Sequence, residues 1–188
     1  MKRPGKRITT LFSARNLTAL IFFGLAAHGS TARAQSAGTF TVTANGWTPG
    51  YRSTATLLLD GRVLLVYGPS AALYDAKTGT FTATAGSRTY SSTWQTATLL
   101  RDGRVLFAGG LLDLTYPTAQ LEFFDPSTGA FTQGGFMSFA KTCPGAILLN
   151  NGKVLIAGGS EFNEPFGEVS AEIYDPVSNT FTVAGPYA

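Results

Sequence analysis

One histidine, His28, and one cysteine, Cys143, are the whole supply of imidazole and thiol in this chain of 188 residues. His28 lies between the apolar run Leu17-Thr-Ala-Leu-Ile-Phe-Phe-Gly-Leu-Ala-Ala27 and the polar segment ending Ala32-Arg33-Ala34, with a basic stretch up to Arg15 in front. That order predicts a secretory signal peptide over residues 1–34, cut after Ala34. The apolar run is too short for an anchor, since crossing roughly 30 Å of hydrocarbon takes about 20 residues. Cleavage removes His28 and leaves no imidazole in residues 35–188. This excludes Ser-His-Asp and Cys-His activation and any histidine metal ligand there, so neither a cofactor nor a metal site is expected. Cys143 stands alone, which excludes an intrachain disulfide or a Cys-x-x-Cys pair. In Thr142-Cys-Pro-Gly-Ala-Ile-Leu-Leu149 it reads as a small buried filler at the mouth of an apolar strand rather than a reactive thiol.

The carboxylates offer a second kind of chemistry. Asp60 and Asp102, and likewise Asp75, Asp125 and Asp175, recur at matching places next to Gly, Pro and Thr, where a side-chain oxygen closes a turn. Hydrolysis by paired acids would need two of them facing across a cleft, and turn positions do not supply that. Glu161, Glu164 and Glu168 have no such explanation; they suit a solvated loop or weak cation binding through oxygen. The charge is lopsided. Residues 1–34 hold six of the 14 basic residues and none of the 11 acidic ones, so residues 35–188 are net acidic. An acidic body has no electrostatic footprint for nucleic acid or an anionic membrane. With 44% apolar and only 13% charged residues, it does have ample material for a core.

Those residues sit in a repeat. Thr54-Ala-Thr-Leu-Leu-Leu-Asp-Gly-Arg-Val-Leu-Leu-Val-Tyr-Gly68 aligns with Thr96-Ala-Thr-Leu-Leu-Arg-Asp-Gly-Arg-Val-Leu-Phe-Ala-Gly-Gly110 and with Gly145-Ala-Ile-Leu-Leu-Asn-Asn-Gly-Lys-Val-Leu-Ile-Ala-Gly-Gly159. Each is followed by an apolar segment ending in Asp and by a Phe-Thr strand: Phe81, Phe131 and Phe181 are 50 residues apart. Every unit reads as four short strands, a to d. Asp-Gly or Asn-Gly pairs predict a two-residue hairpin between a and b. The continuous apolar strand b predicts burial on both faces. A four-stranded unit of this length, repeated and stacked, is a propeller blade. The fold class is therefore all-β: three blades at about 51–84, 93–133 and 142–183 within 51–188, after a leading outer strand and connection at 35–50.

The run from Leu-Leu-Asp-Gly-Arg-Val-Leu through Gly-Gly and Tyr-Asp-Pro to Thr-Gly-Thr-Phe resembles the kelch repeat, in the form found in secreted bacterial proteins and in the propeller of galactose oxidase. The first unit departs from it, with Tyr67-Gly68 in place of Gly-Gly. Such propellers usually close with six or seven blades, so the resemblance implies an incomplete ring. Residues 38–43, Gly-Thr-Phe-Thr-Val-Thr, match strand d without a blade of their own. The expectation is the N-terminal part of a longer propeller, with two chains closing one ring as the alternative. Galactose oxidase binds copper through histidines and tyrosines, one tyrosine cross-linked to a cysteine. Without a histidine in residues 35–188 the resemblance does not carry over to that site here.

Strand order puts the b-to-c and d-to-a connections on one face, and all the length variation with them. They carry Tyr90, Trp94, Tyr116, Phe136 and Phe139, then Glu161, Phe162, Asn163, Glu164 and Phe166. Aromatics beside carboxylates and amides stack on sugar rings or anchor a protein. The function expected from the sequence is a secreted or periplasmic binding scaffold for glycan or protein, not an enzyme, delivered by the general secretory route. The alternative is part of a longer carbohydrate-active or galactose oxidase-like enzyme whose catalytic residues lie outside this segment.

Overall fold

The computed structural model describes residues 52–160 and 171–184, all of them in the compact unit Thr41–Ala188. The expected signal peptide over residues 1–34 and the expected leading strand at 38–43 lie outside the described residues. Those described are all-β, in three antiparallel sheets. The first blade is a meander of β1 (Thr54–Leu57), β2 (Val63–Tyr67), β3 (Ser70–Asp75) and β4 (Thr80–Ala83). The second is built from β5 (Ser92–Thr93), β6 (Thr96–Leu99), β7 (Val105–Ala108), β8 (Leu111–Leu112), β9 (Tyr116–Asp125) and β10 (Ala130–Lys141). Its blade order is β6-β7-β9-β10, with the short β8 and β5 added beside the start of β9. The third repeats the meander with β11 (Gly145–Leu148), β12 (Val154–Ala157), β13 (Glu172–Asp175) and β14 (Thr180–Val183).

The turns follow from their side chains, with one difference from expectation. The a-to-b connection is a three-residue loop, not two. Leu58 N donates to Arg62 O at 2.8 Å and Gly61 N to Leu58 O at 3.1 Å, and the other two hairpins repeat the pattern. Of each Asx-Gly pair only the glycine has positive φ, at 87°, 88° and 86° for Gly61, Gly103 and Gly152. This is a type I turn closed by a glycine bulge. The Asx side chain is thereby free to accept from the backbone two residues on: Asp60 from Arg62 N, Asp102 from Arg104 N, Asn151 from Lys153 N. In the c-to-d turns Asp75, Asp125 and Asp175 do the same for Lys77, Ser127 and Val177, as the sequence predicts.

Register gives each blade two distinct faces, because residues opposite one another across a ladder share a side. One face carries a row of Leu, Val, an aromatic and Phe: Leu57-Val63-Tyr74-Phe81, then Leu99-Val105-Phe124-Phe131, then Leu148-Val154-Tyr174-Phe181. The opposite face carries Thr56-Leu64-Leu73-Thr82, Thr98-Leu106-Phe123-Thr132 and Ile147-Leu155-Ile173-Thr182. We call these the aromatic-row face and the leucine face. The blades stack leucine face to aromatic-row face. One core joins Leu64, Val66 and Leu73 to Val105, Phe107 and Phe124; the other joins Leu106, Leu121 and Phe123 to Val154, Ile156 and Tyr174. The inner strands β1, β6 and β11 stand side by side.

Full burial of strand b holds only in the middle blade, where all four residues of β7 are buried. In β2 and β12 burial alternates. Among the described residues the first and third sheets are each covered on one face only, so their other face keeps the period of a half-exposed strand.

Candidate functional site

Two residues before each inner strand the chain adopts a left-handed conformation on a residue other than glycine: Arg52 (φ 72°), Trp94 (65°) and Cys143 (51°). A bulky side chain in that region is uncommon, and such positions gather at functional sites. The repeat places these three residues at equivalent points, on the face with the long connections, and brings them together. The Arg52 guanidinium lies over the Trp94 indole, a cation–π arrangement. Cys143 N donates to Trp94 O at 2.9 Å. Burial pushes the Cys143 thiol above its ordinary value, and the nearby positive charge of Arg52 opposes the rise. The expected role of Cys143 is corrected: it is exposed, not a buried filler. Its left-handed backbone turns it out of the strand that would have carried it inward.

The connections feeding this site are tied down by buried carboxylates that the sequence reading did not single out. On β9, Glu122 accepts from Arg88 Nε at 2.6 Å and from Thr89 N at 2.6 Å; the two side chains are 1% and 2% exposed. Arg88 also donates to Gly68 O and Ser92 O. Desolvation lowers its pKa, and Glu122 opposes that. In the third blade Glu172 occupies the same position and accepts from Ser138 N at 2.7 Å, while its Oε1 has no hydrogen-bond partner among the described residues. The signal was present in the repeat: Glu stands three residues before the turn Asp in the second and third units, where Ala72 stands in the first.

The expected site residues do not form one cluster. Trp94 joins Arg52 and Cys143 at the inner end. Tyr90 is half-buried on the connection between β4 and β5. Tyr116 opens β9 and is 67% exposed; Phe136 and Phe139, 64% and 40% exposed, lie on β10. That places the last two on a strand rather than the expected loop, because β9 and β10 run on as a ribbon past the blade, with register shifts after Gln133 and Phe136. Glu161, Phe162, Asn163, Glu164 and Phe166 lie outside the described residues.

On the opposite face, clefts of about 430 and 440 Å³ lie at repeat-equivalent places between hairpins. Asp102 and Asp125, or Asp102 and Asp175, line them, but each of these carboxylates is engaged in its own turn. Among the described residues no group of three or more His, Cys, Asp or Glu could hold a metal ion.

No family model matches the chain, and no curated protein does. A solved structure does: a fungal alcohol oxidase described as showing catalytic diversity among the AA5 family, in complex with copper. It is 21% identical with a TM-score of 0.57, over 72% of this chain and 30% of the oxidase. The likeness shows that the chain shares an all-β fold with that oxidase. It also corrects the expectation that the chain is not an enzyme, because the protein sharing its fold is one. The missing imidazole excludes a histidine site in residues 35–188 alone, which is narrower than excluding a catalytic protein. Copper does not fit the donor set described here, which lacks histidine and any acid–thiol cluster.

Proposed function

We propose that these are kelch-type blades of an exported, galactose oxidase-like propeller enzyme acting on alcohols or sugars, with its catalytic residues outside the three described blades. The likeness to the copper alcohol oxidase over 72% of the chain carries this reading. In it the blades are the rigid part: they hold the Arg52–Trp94–Cys143 cluster at the mouth of the inner strands and present Tyr116, Phe136 and Phe139 for a sugar ring to stack on. The fold by itself supports many activities, so the reaction must be tested directly.

The test is turnover of a panel of primary alcohols and sugars by the full-length secreted protein, with and without added copper. Copper-dependent turnover is expected, reduced at least tenfold by Trp94→Ala with folding intact. A protein that is folded and inactive across the panel in both conditions contradicts the reading.

A further inference from the structure

The equivalent connections into the second and third blades are pinned alike at one residue and differently at the next. Counting back from Trp94 and Cys143, Thr89 matches Ser138 and Arg88 matches Met137. Thr89 N and Ser138 N each donate to the buried glutamate of the blade that follows, at 2.6 and 2.7 Å. There the likeness ends. Arg88 pairs with the other oxygen of Glu122 and also ties its connection to Gly68 O, Ser92 O and the Ser92 hydroxyl. Met137 can do none of this. Glu172 is 0% exposed, its Oε1 has no hydrogen-bond partner among the described residues, and none of the four ion pairs among them includes it.

A carboxylate buried with one oxygen unsatisfied is costly, and a local opening that admits water relieves that cost. The pin at Ser138 is therefore weaker than its twin at Thr89. Met137 does not oppose opening either. It is 4% exposed in the core with Leu121, Phe123, Val154 and Ile156, and a thioether that leaves such a place strands no polar partner, whereas Arg88 on leaving would strand Glu122. The chain around the pin has room to move. Gly135 precedes it, with open space where a Cβ would lie, and the ladder to β9 shifts register on either side of Phe136. The same stretch carries the exposed rings of Phe136 and Phe139.

We propose that residues 136–140 form a strap latched by Glu172, which opens locally and carries Phe136 and Phe139 with it, while Arg88 and Glu122 keep the connection bearing Trp94 fixed. The face with the long connections thus has one movable connection and one rigid one, the arrangement by which a site closes over a ligand. The inference does not rest on the proposed reaction, since it concerns two equivalent hydrogen bonds and their surroundings.

Amide hydrogen exchange, read residue by residue on the full-length protein, tests it. Corrected for intrinsic rates, Ser138 N is expected to exchange about tenfold faster than Thr89 N or more. Met137→Arg, which supplies the missing cation, should slow Ser138 about tenfold and leave Thr89 unchanged. Glu172→Leu should abolish the protection of Ser138, and Glu172→Gln, which keeps an acceptor, should retain it. A variant that only weakens the whole fold would speed both amides together. Where a variant fails to fold, the comparison of the two amides in the wild type decides. Ser138 protected as well as Thr89 in the wild type overturns the proposal, as does a folded Met137→Arg variant in which Ser138 exchange is unchanged.

Discussion

Arg88 and Glu122 show how much a single pair decides here. Both are almost fully buried, whereas the other three ion pairs among the described residues are partly exposed and contribute little. Removing Arg88 leaves a buried carboxylate uncompensated. Arg88→Met is therefore expected to cost about 3–5 kcal/mol in denaturant unfolding. Arg88→Met with Glu122→Leu should recover only part of that, because Thr89 N then loses its acceptor. A loss under about 1 kcal/mol in the single variant would contradict the assigned role. The thiol makes a second prediction. Since burial raises the Cys143 pKa against the pull of Arg52, alkylation should be slow at neutral pH and accelerate above the ordinary thiol range. Arg52→Met should shift that acceleration to higher pH; a shift downward would place Arg52 elsewhere. The turn carboxylates set the acid response. Asp60 is held below its ordinary value first by the Arg62 side chain, Asp125 by the Ser127 hydroxyl and Asp175 by Val177 N. A depressed carboxylate adds stability above its unfolded pKa, about 3.9, which is lost as pH falls through the folded value. The melting temperature should therefore change little from pH 7 to about 5 and fall below about 4, by less after Asp125→Asn.

At the scale of elements, the glycines that end strand b separate strain from crowding. Gly110 has φ 105° and a Cβ there would lie 2.6 Å from Thr93 O, while Gly158, at φ 72°, has nothing within 4 Å. Alanine at either position meets the left-handed penalty of about 1–2 kcal/mol. Gly110→Ala should cost clearly more than Gly158→Ala, and equal losses in thermal unfolding would show that the close approach of the backbones is unimportant. The strands themselves were legible in the sequence because Asx-Gly turns and Asp-terminated apolar segments recur in register. The detailed turn type was not, since Asp60 and Gly61 suit a two-residue turn and a type I turn with a bulge alike. Nor was the long β9–β10 ribbon, whose Gly134-Gly135 interrupts the strand pattern, nor the exposure of Cys143, which depends on a backbone angle that residue types do not announce.

For the whole molecule, the repeat made the blades readable, and the ladder register makes their order readable too. What the sequence alone could not give is which face of each blade meets its neighbour, because strand b is apolar on both sides in all three units. The candidate site was legible only in part: Trp94 lies in it, Arg52 joins it from an equivalent position, and Tyr116, Phe136 and Phe139 lie along the second blade away from it. Fully burying a large apolar side chain contributes about 1.5–3 kcal/mol, so the first-blade row, which nothing covers among the described residues, leaves apolar burial ungained there. A crystal structure of the full-length protein tests the stacking of leucine face on aromatic-row face most directly. Val105, Phe124, Val154 and Tyr174 are expected to be sealed beneath the leucine face of the blade before each. Any of these four side chains facing solvent would contradict it.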